Sequence, residues 1–371
     1  MATREVPTAP PLQGEGVTLP VSVVIAAYNR AEMLRRAIAS VRAQRPAQPA
    51  EIVVVDDAST DSTAEVARDL GAVVVRHASN RGEGASRNTA IDAAGQPWIA
   101  VLDSDDEWLP WHLDNLWRSR HDHAIVSAAA LHCGADPADD RFHGVPGPKD
   151  RVLTSPADLV FTENVVPASG VMFRRDTVLK AGGYDESLPK SADLDLLVRC
   201  LEHGTARATP TLSVIYHVHA GQVSSDRREM WASHTAVAKR YSGRPWWSRR
   251  RFGAWRTVVA WDSFRAGGGT RELARALSRP DALTALLRSR SRIRRTSSRV
   301  GRDGRPSLAL LPGSALDGAS ENTRLIDLRG RSRIAAYMHL ARQPSGAALA
   351  GAALDRLALR ALRIPLIPPE Q

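Results

Sequence analysis

Residues 21–44 read VSVVIAAYNRAEMLRRAIASVRAQ, and they decide the fold. Val21-Ser-Val-Val-Ile-Ala-Ala27 is a short apolar run rich in β-branched side chains, as in a strand buried on both faces. From Ala31 to Gln44 the period changes: Met33, Leu34, Ala37, Ile38 and Val41 recur at helical spacing. Downstream the alternation repeats. Glu51-Ile-Val-Val-Val55 reads as a second strand, and Ser62 and Glu65 have capping-box spacing ahead of Val66, Ala67 and Leu70. Gly71 ends that helix, and Ala72 to Val75 is a third strand. Ala85 to Ala94 is a helix stopped by Gly95, and Trp98 to Leu102 is a fourth strand. Strands and helices alternating through short connections predict a parallel α/β sheet.

Ligands of such sheets bind outside the carboxyl ends of the strands. Tyr28-Asn29-Arg30 follows the first strand, Asp56-Asp57 the second, and Asp103-Ser104-Asp105-Asp106 the fourth, so separate polar clusters converge on one crevice. Asp103 and Asp105 lie on the same side of an extended segment, a hard-oxygen pair suited to Mg²⁺ or Mn²⁺. The competing reading is a solvated acidic turn with Asp106 as a helix cap; the position after a buried strand disfavours it. Asp57 can accept a hydrogen from a ring N–H, which uracil, thymine and guanine offer and neutral adenine and cytosine do not. It can equally serve an Asx turn. Asn80-Arg-Gly-Glu-Gly-Ala-Ser-Arg-Asn88 opens a helix. Its glycines either admit a phosphate or merely cap the helix, and Arg87 adds charge or contacts a base. Neither a dinucleotide fingerprint nor a P-loop is present.

Composition excludes other classes. Hydrophobic residues make up 43% of the 371, enough for a substantial core. Cys133 and Cys200 are the only cysteines, so a disulfide scaffold and a multi-cysteine zinc site are excluded. There is no apolar run long enough to span a bilayer. Residues 1–20, rich in Pro and Gly, are expected to be a flexible segment rather than a signal peptide. The protein is expected in the cytoplasm, or peripheral on the inner face of the cell membrane.

Taken together, these stretches resemble the family 2 glycosyltransferases and their GT-A fold, a Rossmann-like, mostly parallel sheet with helices on both faces. The resemblance rests on VSVVIAAYNRAEMLRRAIASVRAQ, EIVVVDDASTDSTAEVA, NRGEGASRNTAI and WIAVLDSDDEWLP. It implies a nucleotide-diphospho-sugar donor, with UDP-sugars favoured, and a divalent cation, Mn²⁺ or Mg²⁺. It places the nucleobase near Asp57 and Arg87, lines the nucleoside with Ala27 and Tyr28, and gives Asp103, Ser104 and Asp105 to the metal and diphosphate. Gly170–Arg175 and Gly182–Glu186 look like the acceptor-side segment. After them Asp193 falls where the family carries its catalytic base, with Ala192 in place of the usual Glu and Asp195 as second candidate. Helical spacing of Leu194, Leu197, Val198 and Leu201 also allows a helix-dipole role for Asp193. Tyr216–Ser224 resembles another recurrent segment, which implies a metal or diphosphate contact for His219. The resemblance implies inversion at the anomeric carbon, and because the QxxRW signature of processive synthases is absent, transfer of one or a few sugars is expected. A non-catalytic sugar-nucleotide-binding or scaffold protein on the same fold is the alternative.

The formal net charge of +10 is unevenly placed: residues 226–371 carry 29 basic and 11 acidic side chains, and the first 225 carry 21 and 29. The expected organisation is a GT-A domain over 21–225, with a nucleotide-sugar half (21–119) and an acceptor half (120–225), then a basic, mainly helical region (226–371). There Trp246, Trp247, Trp255 and Trp261 lie among arginines, and Leu286 to Arg305 contains eight arginines. Leu354, Leu357, Ala358, Ala361 and Leu362 trace one helical face, and Arg356, Arg360 and Arg363 another. Two readings stand: contact with an anionic membrane surface and a lipid-linked acceptor, or tryptophans packed inward under solvated arginines. A glycan or small-molecule acceptor is also compatible, and no nucleic-acid partner is expected.

Overall fold

The computed structural model describes residues 17–133, 141–145, 149–161, 165–219, 222 and 227–265. The first half contains β1 (Val17–Ala27), α1 (Ala31–Arg42), β2 (Ala47–Asp56), α2 (Thr63–Asp69), β3 (Val73–Arg76), α3 (Glu83–Ala93) and β4 (Trp98–Val101). Next come β5 (Glu107–Trp108), α4 (His112–Ser119), β6 (Ile125–Cys133), β7 (Arg141–His143), β8 (Arg151–Leu153) and α5 (Ala157–Val160). A 3-10 turn at Ala168–Gly170 leads into β9 (Val171–Arg174), α6 (Arg175–Lys180), α7 (Ala192–Cys200), β10 (Ala206–His217), α8 (Arg227–Arg240) and α9 (Arg249–Arg265).

The strands form one sheet in the order β3-β2-β1-β4-β9-β6-β10-β5, with β7 on β6 and β8 on β10. β1 pairs in parallel with both β2 and β4, and β2 with β3, as the alternating pattern predicts. Beyond β4 the sheet is mixed. β9 starts from the edge where β4 ends, so it runs antiparallel to both β4 and β6. Alternation along β1 divides the core: Val21, Val23 and Ile25 pack with Leu34, Ala37, Ile38 and Val41 of α1 on one face. Val24 joins the opposite layer, which holds Ile91 of α3 and Leu194, Leu197 and Val198 of α7.

One local expectation is not met. The Ser62 side chain makes no capping bond to α2. Asp61 replaces it, its carboxylate accepting the Thr63 N–H at 3.0 Å. An ionised acceptor next to the helix start gives the stronger bond and suits the positive dipole end.

The change of composition at Asp226 is not a break in packing. Val237, Ala238 and Tyr241 at the C-terminal end of α8 and Phe252 of α9 belong to the same apolar layer as α7. Trp246, Trp247 and Phe252 surround Phe161, and the Trp247 indole N–H donates to the Ala238 carbonyl at 3.1 Å. These tryptophans pack inward, as the second reading of that region expects. The Trp261 side chain, the arginine-rich stretch 286–305 and the helical pattern at 354–363 lie outside the described residues.

His112 gives a pH-dependent contribution to stability. It is fully buried, stacks on Trp108 with ring centroids 4.2 Å apart, and its Nδ1 lies 2.8 Å from the Ser213 hydroxyl. Burial pushes its pKa down from 6.5 to about 3. The unfolded chain therefore takes up this proton first as pH falls, and stability is lost below the unfolded value. Between pH 6.5 and 5, unfolding free energy should fall by about 1.6 kcal/mol more in the wild type than in His112→Asn. Equal slopes in denaturant titrations of the two proteins would refute this.

Candidate active site

Parallel pairing brings the strand ends to one edge. Ala27 pairs with Asp56, and Asp56 with Arg76, so Tyr28, Asp57 and His77 follow one another along the rim. β4, on the other side of β1, delivers Asp103. Tyr28 is 47% exposed, an open ring at the lip, and the Ala27 carbonyl accepts the Asp57 N–H at 2.9 Å. Asn29 fastens the first two loops: its backbone N–H donates to the Ser59 hydroxyl at 2.9 Å, and its side-chain oxygen accepts the Thr60 N–H at 2.8 Å.

Adjacent aspartates divide two tasks. Asp56 makes the Asx turn, accepting the Ser59 N–H at 3.1 Å and pairing with Arg76 at 3.2 Å. Asp57, only 3% exposed, organises the glycine loop instead. Its Oδ1 accepts the Arg81 N–H at 2.9 Å and lies 2.7 Å from His77 Nδ1; its Oδ2 accepts the Gly82 N–H at 2.8 Å. Gly82 has φ +88, a conformation that favours glycine, and α3 starts directly after it. The amides of Arg81 and Gly82 are thus committed to Asp57 rather than open to a phosphate.

The four acids after β4 each engage a different part of the chain. Asp103 pairs with Arg87 of α3. Asp105 Oδ2 lies 2.9 Å from His219 Nε2. Asp106 is fully buried, accepting the Ser169 hydroxyl at 2.5 Å and the His217 N–H at 3.1 Å. It is therefore a strap across the sheet and not a helix cap. Glu107 meets His217 at 3.0 Å and Arg36 at 3.3 Å. Ser104 is buried between the two candidate ligands. Ser169 also takes the Asp103 N–H at 3.1 Å, so a hydroxyl from the turn before β9 fixes the acidic loop.

Arg87 is the electrostatic pivot. It is 6% exposed, pairs with Glu83 at 2.5 Å as well as with Asp103, and lies 5.3 Å from the centroid of the Tyr184 ring. Burial opposes its charge, but the carboxylates of Glu83 and Asp103 outweigh it and raise its pKa well above the ordinary value. Burial pushes the Asp103 carboxyl up, Arg87 pulls it down, and the charges of Asp105 and Asp193 push it up again, for a net upward shift. Arg87 likewise draws Glu83 down, while burial, Asp103, Asp193 and Asp105 reverse the balance. Asp193, in the first turn of α7, thus acts on the same carboxylates as the acidic loop. Asp195 points elsewhere: it is 2% exposed and bound by Arg199 at 2.8 Å and the Tyr241 hydroxyl at 2.7 Å.

The donors fit a hard divalent cation. Asp103 and Asp105 offer carboxylate oxygens and His219 an imidazole nitrogen, and a bound dication would relieve the repulsion from Asp105 that adds to burial in raising Asp103. Among the described residues, no three such side chains are already gathered in a metal-holding cluster. Two carboxylates and a flanking imidazole leave positions for water and diphosphate oxygens, as Mg²⁺ and Mn²⁺ require.

Several contributors are not among the residues singled out in the sequence. His77 and Thr89 back Asp57, with His77 Nε2 3.0 Å from the Thr89 hydroxyl. Asn88 links α3 to the segment between α6 and α7: its Oδ1 accepts the Tyr184 N–H at 2.7 Å, and its Nδ2 donates to the Tyr184 carbonyl at 2.9 Å. Gly183 beside it has φ +68, and a Cβ there would lie 2.7 Å from Asn88 Oδ1. Gly183→Ala should therefore cost about 2 kcal/mol, from the left-handed backbone and the lost clamp together. A lowered denaturant midpoint at unchanged m-value is the expected readout.

Comparison with known proteins matches the chain to a family. The Glycosyl transferase family 2 profile covers residues 22–176. Succinoglycan biosynthesis protein ExoO of Rhizobium meliloti (strain 1021) is 33% identical over 241 residues, 60% of this chain and 69% of that protein. The chain belongs to glycosyl transferase family 2. ExoU of the same strain, also named for succinoglycan biosynthesis, is 37% identical over 206 residues. This family 2 chain spans 57% of the length of ExoU. The crystal structure of S. aureus TarS 1-349 in complex with UDP-GlcNAc superposes with a TM-score of 0.51 at 16% identity, covering 92% of this chain and 91% of that one. That likeness extends to the fold.

Proposed function

We propose that this family 2 chain transfers a sugar from a nucleotide-diphospho-sugar, with UDP as the favoured carrier, to an acceptor hydroxyl with inversion, one or a few sugars at a time. The observation that carries the reading is the ion pair of Asp103 with Arg87 at the carboxyl edge of the sheet, with Asp105 and Asp193 near enough for their charges to act on Asp103. ExoO and ExoU, named for succinoglycan biosynthesis, support a role in cell-envelope polysaccharide or glycoconjugate synthesis.

Asp57 receives a ring N–H of the base, and Tyr28 and Ala27 line the nucleoside. Asp193 takes the proton from the acceptor hydroxyl. The acceptor oxygen bonds to the anomeric carbon from the face opposite the diphosphate, and the carbon–oxygen bond to the diphosphate breaks. Asp103, Asp105 and His219 would hold Mg²⁺ or Mn²⁺, which when bound supplies positive charge against the leaving diphosphate. Arg87 favours the ionised form of Asp103 and orients it. Proximity of donor and acceptor contributes much of the remaining acceleration. No helix among the described residues is long and apolar enough to cross a membrane. The excess positive charge after residue 226 supports peripheral docking at the inner face of the cell membrane, beside a lipid-linked acceptor.

Donor binding and hydrolysis across UDP-, dTDP- and GDP-sugars, with Mn²⁺ and after chelation, test the reading. Turnover of one donor class, lost on chelation and in Asp105→Ala, is the expected result. A chain that neither binds nor turns over any of them would instead be a scaffold on a transferase fold.

A further inference from the structure

We propose that His77 sets the base specificity of the donor site, by leaving Asp57 a single free acceptor position that suits a pyrimidine imide and not guanine. The inference rests on the reading of Asp57 as the base acceptor. An ionised carboxylate has about four acceptor positions, two on each oxygen. On Asp57, Oδ1 is filled twice, by the Arg81 N–H and by His77 Nδ1. Oδ2 is filled once, by the Gly82 N–H. One position on Oδ2 remains, and the side chain is still 5% exposed.

The donor on Oδ1 is held in place from behind. A carboxylate only accepts, so the neutral imidazole carries its proton on Nδ1. Nε2 is then bare and accepts the Thr89 hydroxyl at 3.0 Å. The chain from Thr89 through His77 to Asp57 therefore runs in one direction, from α3 to the rim. Both carboxylate oxygens are fixed, and Oδ1 is closed to ligand.

Uracil and thymine present one imide N–H between two carbonyls, which matches one acceptor position. Guanine presents its ring N–H and exocyclic amine side by side and needs both oxygens. With Oδ1 saturated, the guanine amine is left unpaired in a buried place, which costs affinity. His77 is thus a positioning residue whose effect is read in a ratio between bases, which a general loss of structure does not move selectively.

The test is equilibrium binding of UDP and GDP to the full chain in the same Mn²⁺ buffer. The wild type should prefer UDP. His77→Leu should lower the UDP-to-GDP affinity ratio by about tenfold, the equivalent of one hydrogen bond. His77→Asn, whose amide N–H falls near the Nδ1 position, should restore the ratio. His77→Gln, whose amide falls near Nε2 and Thr89, should behave like His77→Leu and replaces it if that variant does not fold. An unchanged ratio in both His77→Leu and His77→Gln, with UDP binding lost in Asp57→Asn, overturns the role of His77 and leaves the base site standing. UDP affinity unchanged in Asp57→Asn, or a wild type that prefers GDP, overturns the base reading itself.

Discussion

Asp193→Asn should lower turnover by about 10²–10⁴-fold while donor affinity is retained, the range expected when a positioned proton acceptor is removed. Asn has the same shape but accepts no proton at neutral pH. Among the described residues Asp193 makes no hydrogen bond or ion pair, so the exchange breaks no such contact. Its charge nevertheless acts on Asp103 and Glu83. Asp195 provides the contrast. Its carboxylate is buried under Arg199, Arg240 and Tyr241, so Asp195→Asn should reduce stability first. Initial rates at saturating donor, with donor affinity measured separately, distinguish the two. Near-normal turnover in Asp193→Asn would remove it from the mechanism.

Arg87→Met should destabilise the fold by about 3 kcal/mol and weaken donor binding. Removing one partner of a buried ion pair leaves an uncompensated charge, which typically costs 3–5 kcal/mol. The Glu83 side chain is 50% exposed and is eased by water, so the low end applies; Asp103, 18% exposed, bears most of the cost. The pH dependence has a definite sign. The folded pKa of Asp103 is already raised, and losing Arg87 raises it further. Stability is then lost as pH rises above the ordinary carboxylate range, because the unfolded chain ionises first. The variant should therefore lie closer to wild type at pH 5 than at pH 8 in urea denaturation. A deficit independent of pH would mean that lost packing, not charge, accounts for it.

The nucleotide half was readable because local pattern and fold agree there. A β-branched run buried on both faces and a helix with Leu34, Ala37, Ile38 and Val41 on one side leave one arrangement, and the strand ends then fix where Asp57 and Asp103 lie. The chain after β4 gave less away. β9 is only four residues long, and its antiparallel insertion depends on pairing with β4 and β6, distant in sequence. The partners of the site acids were hidden for a related reason. Ser169, His77 and Asn88 act through hydrogen bonds to partners 63, 20 and 96 positions away, which no local pattern predicts. The capping box failed differently: a better acceptor, Asp61, stood beside the expected one.

The contacts between α7 and α8 bear on how such transferases can be recombined. Arg240 joins Asp185 at 2.6 Å to Asp195, and the hydroxyl of Tyr241, the residue after α8, closes on Asp195 as well. The helix start that carries Asp193 is therefore buttressed by chain that lies past the acidic half. A chimera joined at residue 225, where the composition changes, would cut away that buttress and leave the Asp195 carboxylate facing Arg199 alone. A junction beyond Ala260 would keep α7 and α8 together. The exchangeable cassette is thus shorter than the charge profile implies, and its border is set by a tyrosine hydroxyl.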